Sequence, residues 1–277
     1  MRVSQAPEPR RAEPEAEAGR SEPRAHGSHA TPSALTARPT PLDQPRAEPW
    51  PLAARVELIQ DVSRISLATE GYLKRYRQRV KTVFTDGTRS EVYVVDYVDR
   101  GLDRRDAVGF VLWARAASGQ VADTRILLRR QLRYAAYVAA GRPLMTELYA
   151  GLIEGGEAPE ACVLRECWEE AAVETTTGHI MRLGRPFFPV PGLFTERIVP
   201  LAVEVDDATY DQVVARPPPG DGSPFEEGSV SVAMTLGEAF AMIEAAEPGD
   251  PAEPTLDDAK TEIVLARLWR WLEEHRA

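Results

Sequence analysis

Apolar and polar residues alternate along the chain from about Val56, and this pattern predicts several strands before the first helix. The run VELIQDVSRISLATEGYLKRYRQRVKTVFTDGTRSEVYVVDYVDRG contains a TDG turn signal, which predicts a small antiparallel sheet of two or three strands. The runs AVGFVLWARA and TRILLRRQLR flank a turn at SGQ and predict two further strands.

The second half of the chain predicts strands at MRLGRPFFPV, RIVPLAVEV and SVSVAMTL, with a Pro/Gly-rich loop around RPPPGDGSPFEEG. GEAFAMIEAAE has helical apolar spacing, and LDDAKTEIVLARLWRWLEEH begins with aspartates suited to a helix N-terminus. With a helix also predicted near residues 159–172, the order is strands, helix, strands, helix, helix. This order predicts an α+β fold in which a mixed β-sheet is sandwiched between helices.

Composition separates a tail from this ordered region. Residues 1–51 are rich in Pro, Ala, Arg and Glu and have few residues that could form a core, so we expect a disordered tail. The net charge of -10 argues against nucleic acid or an anionic membrane as a partner. No apolar run reaches the roughly 18 residues of a membrane helix, and no secretory signal is recognised, so we expect a cytoplasmic protein.

Cysteine and histidine spacing limits the other chemistries. Cys162 and Cys167 lie five residues apart on a predicted helix, which argues against a disulfide and predicts small buried thiols. The four histidines are scattered and have no zinc-site spacing.

Residues 151–174, GLIEGGEAPEACVLRECWEEAAVE, place a glycine turn directly before a short acidic helix. Pro159 suits the first turn of a helix that we expect to run to Ala172. Leu164, Trp168 and Ala171 recur at helical spacing, with Cys167 beside them, and predict a stripe that faces the core.

The acidic residues of this segment allow two interpretations. Glu166 and Glu170 are one turn apart, with Glu169 adjacent and Glu157 in the glycine turn. They could form a solvated helix face with i, i+4 ion pairs, as most such runs do. Alternatively, converging carboxylates repel each other unless cations lie among them, and Mg²⁺ prefers oxygen ligands of this kind. Arg165 could reach Glu157 or Glu169 in either case.

The spacing G-x5-E-x7-R-E-x2-E-E, from Gly151 to Glu170, closely resembles the signature box of the Nudix hydrolases. Two positions depart from that pattern: Ala172 stands where the family usually has glycine, and Cys167 where it has a bulky aliphatic residue. We expect Ala172 to cost about 1 kcal/mol in a left-handed turn, or to let the helix continue toward Thr175.

Further segments resemble the ADP-ribose pyrophosphatase and GDP-mannose hydrolase branch of that family. They are RRQLRYAAYVAAG, ELYAG, PVPGLFTERI, FEEG and DDAKTEIVLARL. The resemblance implies a Nudix domain over residues 102–277 and an N-terminal antiparallel β segment, residues 52–101, that is exchanged between the subunits of a homodimer. It also implies Mg²⁺-dependent hydrolysis of a nucleoside diphosphate sugar, with Mn²⁺ as an alternative metal.

The same resemblance implies roles for individual residues. The implied metal ligands are the carbonyl of Ala150 and the side chains of Glu166, Glu169 and Glu170. The implied catalytic residues are Glu170, Arg165 and, as a base, Glu226 or Glu227. The implied substrate-binding residues are Arg130, Arg133, Glu147 and Glu196.

Plainer interpretations remain for several of these residues. Arg130 and Arg133 could be exposed strand charges, Glu147 could end a strand, and Glu196 could be a loop surface charge. Tyr134 and Tyr137 fit core aromatics better than base-stacking residues.

Three functions therefore stay open. The chain predicts an ADP-ribose or GDP-mannose type pyrophosphatase, and RQLRYAAYV favours the GDP-mannose side slightly. A Nudix-fold binding protein or sensor without turnover is the second function. A structural, acidic-surfaced dimer is the third, and the glycine-turn spacing disfavours it.

Overall fold

A computed structural model of the 277-residue chain describes residues 73–85, 87–100, 106–216, 228–245, 248–250 and 253–275. The predicted tail (1–51) and the first part of the predicted β segment (52–72) lie outside the described residues. The strands are β1 Lys74–Val80, β2 Tyr93–Asp99, β3 Asp106–Ala114, β4 Arg125–Leu132, β5 Leu144–Glu147, β6 Tyr149–Leu152, β7 Ile180–Arg182, β8 Arg197–Glu204 and β9 Val230–Thr235. The α-helices are α1 Tyr134–Ala140, α2 Pro159–Ala171, α3 Asp207–Ala215, α4 Leu236–Glu244 and α5 Ala259–Glu274.

Seven strands form one mixed sheet. Its order is β5-β4-β3-β8-β7, with β6 paired to β3 and β9 paired to β4. β3 and β8 are parallel, whereas the other pairings of this sheet are antiparallel. The predicted mixed sheet is therefore confirmed.

β3 is the central strand, and its apolar run is buried on both faces of the sheet. Val108 and Phe110 belong to a core that includes residues of α2 and α3. Val111 and Trp113 belong to a second core that includes residues of α4 and α5. A strand covered on both faces is apolar at successive positions, as β3 is. Helices thus cover both faces of the sheet, as the element order predicts.

β1 and β2 form the predicted antiparallel hairpin, in which Lys74 lies opposite Asp99. Gly87, from the predicted TDG turn, has a left-handed φ of 82°, which glycine adopts readily. The Val98 N–H donates to the Leu193 carbonyl over 2.9 Å. The hairpin is thereby attached to the loop that precedes β8.

Several elements differ from the sequence expectation, and the strands β5 and β6 are among those not predicted. The expected strand at 181–190 is reduced to β7 and an isolated bridge between Phe187 and Ile198. The helix α3 was not predicted, although Asp206 caps it by accepting from the Thr209 N–H over 2.7 Å. The helix α1 was also missed because its run YAAYVAA has no polar face, and none of its residues is buried.

Within the described part of the chain, no helix is long and apolar enough to cross a membrane.

Candidate functional site

The helix α2 has the predicted start and end. Pro159 occupies its first turn, where a backbone N–H is not needed. Ala172 adopts a left-handed φ of 54° and ends the helix, so α2 does not continue toward Thr175. The Ala172 N–H donates to the Trp168 carbonyl over 3.0 Å, which satisfies one of the last helical carbonyls.

The buried face of α2 differs from the predicted stripe. Its buried apolar residues are Cys162, Val163, Cys167 and Ala171. Trp168 is 43% exposed, so the prediction that it faces the core was wrong. Glu166 and Glu170 lie on the buried side instead, with only 7% and 5% of their surface exposed. These two carboxylates therefore do not form a solvated helix face, and each needs a buried partner.

The two cysteines are free and buried, as predicted. Burial raises the pKa of both thiols to about 12. Both groups are therefore neutral at ordinary pH and are poor nucleophiles.

Arg165 joins three carboxylates of the glycine turn and helix. Its Nη1 lies 2.5 Å from Glu166 Oε1 and 3.1 Å from Glu169 Oε2, and its Nη2 lies 3.4 Å from Glu157 Oε2. Burial alone would raise the pKa of Glu157, but hydrogen bonds from the Glu154 N–H and from Arg165 bring it below its usual value. Arg165 thus holds the turn against the helix, in contact with both of the partners considered from the sequence and with Glu166.

Gly151 lets the carboxylate of Glu166 lie directly against the backbone of β6. A Cβ added to Gly151 would lie 1.9 Å from Glu166 Oε1 and 2.3 Å from its Cγ. Atoms cannot approach that closely, so any side chain at this position would displace Glu166. The first glycine of the sequence motif therefore has a packing role at the candidate site.

Glu170 has two buried partners. Its Oε1 accepts a hydrogen bond from Nη1 of Arg129, which is fully buried. Its Oε2 accepts from the Ala150 N–H over 3.1 Å. Arg129 Nη2 also donates to the Ser229 hydroxyl over 3.0 Å. Arg129 was not predicted as a site residue, although it lies two positions from the buried Leu127 and therefore on the same face of β4.

Glu147 is nearly fully buried at the end of β5 and has cationic neighbours. Arg133 Nε lies 2.5 Å from its Oε1, and Lys260 Nζ lies 3.6 Å from its Oε2. Gln131 Nε2 donates to the same Oε1 over 3.1 Å. The structure thus brings together Glu147 and Arg133, two of the predicted substrate-binding residues. It adds Lys260, which was not predicted as a site residue although the run DDAKTE contains it.

Arg130 and Glu196 are also partly enclosed. Arg130 Nε donates to the Thr146 hydroxyl over 3.2 Å, and burial lowers the pKa of its guanidinium. Glu196 Oε2 lies 2.9 Å from Arg100 Nε. Burial raises the pKa of Glu196, an effect that the positive charges of Arg100 and Lys260 partly oppose.

Some predicted residues are not part of this arrangement. Glu226 and Glu227 lie outside the described residues. Tyr134 is 40% exposed and tilts against Tyr137 with 6.2 Å between ring centroids. The preference for a core role was therefore wrong for Tyr134.

The donor chemistry suits a hard divalent cation. Glu157, Glu166 and Glu169 already converge on one cationic group, the Arg165 guanidinium, within 3.4 Å. Carboxylate oxygens of this kind are the ligands that Mg²⁺ prefers. Among the residues that the structure describes, no group of three or more acidic, histidine or cysteine side chains is arranged to hold a metal ion. The carboxylates are therefore suitable ligands for Mg²⁺ by chemical type. In this arrangement their oxygens contact arginine side chains.

Comparison with known proteins gives one family match. A model of the NUDIX domain matches residues 103–256. The chain is similar to proteins named ADP-ribose pyrophosphatase from Escherichia coli K12 and Shigella flexneri, at 37% identity over 154 residues. The aligned part is 54% of this chain and 62% of each relative. The chain thus spans less than two thirds of the length of the curated relatives it matches.

Among solved structures, the chain resembles a crystal structure of an ADP compounds hydrolase, with a TM-score of 0.47 and 17% identity over 73% of this chain and 88% of that chain. A MutT/nudix family protein from Enterococcus faecalis matches with a TM-score of 0.38 and 18% identity, covering 64% of this chain and 66% of that chain.

Proposed function

The chain belongs to the Nudix hydrolase family, and on that premise we propose that it hydrolyses the pyrophosphate bond of nucleoside diphosphate sugars. The products are a nucleoside monophosphate and a sugar phosphate. The observation that carries this proposal is the pair of buried carboxylates, Glu166 and Glu170, that α2 presents to the glycine turn. The name of the curated relatives supports ADP-ribose as the first substrate to test, and GDP-mannose is the second.

The reaction is proposed to depend on Mg²⁺, with Mn²⁺ as an alternative. The metal would be held by Glu166, Glu169 and Glu170 together with the carbonyl of Ala150. The metal held by these residues would neutralise pyrophosphate charge and acidify the attacking water. Arg165 acts through these ligands, because its contacts hold the carboxylates of Glu166 and Glu169 in place.

The remaining proposed roles belong to substrate binding and proton transfer. Arg130 and Arg133 are suited to bind phosphate oxygens, because guanidinium groups match phosphate geometry. Glu147 orients Arg133 through its 2.5 Å contact and, with Glu196, is suited to accept hydrogen bonds from sugar hydroxyls. Glu226 or Glu227 would accept a proton from the attacking water.

We also propose that the protein is a homodimer assembled through the β1–β2 hairpin. Exposed large apolar residues occur on the hairpin and on the loop that it contacts. They include Val92, Tyr93, Val94, Phe188, Val190 and Leu193. Apolar surface of this kind is typical of sites where proteins associate.

A second candidate function is nucleotide binding without turnover. One observation favours it: both carboxylate oxygens of Glu170 already have protein partners, Arg129 and the Ala150 N–H. A glutamate engaged in this way is less available to a metal ion.

The deciding experiment is phosphate release, through a coupled phosphatase, from ADP-ribose, GDP-mannose, other sugar nucleotides and dinucleotides, with and without Mg²⁺. Glu170→Gln is assayed in parallel. Metal-dependent turnover that collapses in the variant supports the hydrolase, and the best substrate defines its specificity. Folded protein that binds these nucleotides without turnover supports the binding protein instead.

A further inference from the structure

Arg129 places a fixed positive charge beside one of the proposed metal ligands. Its side chain is 0% exposed, and the Glu170 side chain is 6% exposed. Its two terminal nitrogens contact Glu170 Oε1 and the hydroxyl of Ser229. The pair therefore lies in the protein interior, where water screens charges poorly.

The two arginines of the site differ in how easily they could leave their carboxylates. Arg165, which contacts Glu166 and Glu169, is 32% exposed and can turn toward solvent. The Arg129 side chain cannot turn toward solvent in this way, because it is fully buried. Arg129 also lies in the middle of β4, between the paired strands β5 and β9. Separating Arg129 from Glu170 would break a buried ion pair, which is strongly unfavourable in free energy.

The carboxylate of Glu170 is also engaged on its other oxygen. Oε2 accepts from the Ala150 N–H, while Oε1 contacts Arg129. The negative charge is thus offset by the guanidinium, and a divalent ion approaching Glu170 meets both a neutralised ligand and a nearby positive charge. Both effects weaken the attraction between Glu170 and the ion.

We propose that Arg129 is a built-in counter-ion of Glu170 that competes with the divalent metal for this carboxylate and lowers the metal affinity of the site. The proposal rests on the proposed function, because that function makes Glu170 a metal ligand. Arg129 acts through Glu170 and is a positioning residue. The contact with Arg129 holds the Glu170 side chain in place when no metal is bound. The competition between Arg129 and the metal sets the metal concentration needed to occupy the site.

Mn²⁺ binding to the full chain tests this directly, with free Mn²⁺ measured by its electron paramagnetic resonance signal. Arg129→Met removes the charge and keeps an unbranched side chain that fills buried space. We expect Mn²⁺ to bind about tenfold or more tightly to this variant, since removing a unit positive charge a few ångströms from a divalent ion in a poorly screened site changes the attraction by at least that factor. In Arg129→Met combined with Glu170→Gln, the gain should disappear, because the freed carboxylate is then absent.

Arg125→Met is the matched control. Arg125 lies on the same strand and pairs with Asp207 near the surface, so the variant loses the same net charge at a different place. Its Mn²⁺ affinity should equal that of the unchanged protein. A gain of equal size in this control would assign the effect to net charge and overturn the proposal.

Two further variants keep the test valid if Arg129→Met does not fold. Arg129→Gln is neutral but can still form hydrogen bonds, and Ser229→Ala leaves both charges and removes only the hydroxyl partner of Arg129. Arg129→Gln should tighten Mn²⁺ binding, whereas Ser229→Ala should leave it unchanged, because the charge that competes with the metal is still present. The proposal is overturned if the folded Arg129 variants bind Mn²⁺ with unchanged or weaker affinity, or if Ser229→Ala tightens binding as much as they do. This result is independent of turnover, so absence of phosphate release would reject the proposed function without deciding the role of Arg129.

Discussion

Ala172 ends α2 in a conformation that side chains rarely adopt. It is the only non-glycine residue with a positive φ among the residues described. The strain is tolerated because the Ala172 and Val173 N–H groups donate to the Trp168 and Cys167 carbonyls, each over 3.0 Å. A glycine in this position would form the same hydrogen bonds without a Cβ to strain.

We therefore expect Ala172→Gly to stabilise the protein by about 1 kcal/mol, because glycine adopts positive φ at little cost. Urea unfolding followed by circular dichroism measures the change. Ala161→Gly is the control, since Ala161 is exposed on the same helix in ordinary helical conformation. There the identical substitution should destabilise by about 0.5–1 kcal/mol. Equal signs for both variants would contradict the assigned strain.

Gly151 acts on the site through the space that it leaves. Gly151→Ala should move the Glu166 carboxylate, because the added Cβ would lie 1.9 Å from Oε1. A misplacement of about 1 Å in a catalytic site can lower turnover by roughly 100-fold, and we expect a loss of that order in the phosphate-release assay.

Gly155→Ala is the control for this substitution. Gly155 lies in the turn that follows β6, and a Cβ there would meet no atom within 4 Å. The turnover of this variant should remain close to that of the unchanged protein. Equal losses in the two variants would indicate that this glycine-rich segment tolerates no alanine, rather than that Glu166 is displaced.

At the scale of elements, the hairpin is joined to the loop before β8 by polar contacts, and one of them includes Glu196, whose pKa is raised. The Thr195 hydroxyl donates to Asp99 over 2.8 Å, and Arg100 pairs with Glu196 over 2.9 Å. Glu196 has a raised pKa because it is buried. Its ionisation in the folded protein is therefore less favourable than in the unfolded chain.

A group whose pKa is raised in the folded protein contributes stability that is fully present below its pKa in the unfolded chain. This stability is lost as pH rises through its pKa in the folded protein. The pH range of this loss begins near 4.5, the ordinary pKa of glutamate, and extends upward to the raised pKa of Glu196. Glu196→Gln cannot ionise, so its unfolding free energy relative to the unchanged protein should rise with pH across this window. Urea unfolding at a series of pH values measures the slope.

Glu160→Gln provides a comparison of opposite sign. Hydrogen bonds from Arg182, at 2.5 and 2.9 Å, lower the pKa of Glu160 below 4.5. The stability from this pair is present above 4.5 and is lost as pH falls through the lowered pKa. Glu160→Gln should therefore change how the free energy of unfolding varies with pH only below pH 4.5. If Glu196→Gln also changes the curve only there, the inferred direction for Glu196 is incorrect.

At the scale of the whole molecule, the proposed homodimer has a simple test. Light scattering should give twice the chain mass of 30.6 kDa. Val94→Asp places a charge on the apolar surface of the hairpin and should shift the mass toward a single chain. Val214→Asp is the matched control, because Val214 on α3 has the same 49% exposure as Val94. A single-chain mass for the unchanged protein would reject the dimer.

The sequence by itself determined the features that depend on neighbours along the chain. The turn at Gly87, the start of α2 at Pro159 and the one-turn spacing of Glu166 and Glu170 follow from local backbone geometry, which repeats with a fixed period. The central strand β3 was recognisable for the same reason, since its apolar run is long enough to be buried on both faces. The mixed sheet between helices followed from the order of such elements.

Only the tertiary structure decided which distant residues meet. Arg129 lies 41 residues from Glu170 and 100 from Ser229, and Lys260 on α5 reaches Glu147 on β5. Local periodicity places a side chain on a face but does not specify the register between strands or the rotation of a helix against a sheet. For that reason the sequence located the carboxylates of the candidate site, whereas the fold decided that they are buried and which cations hold them.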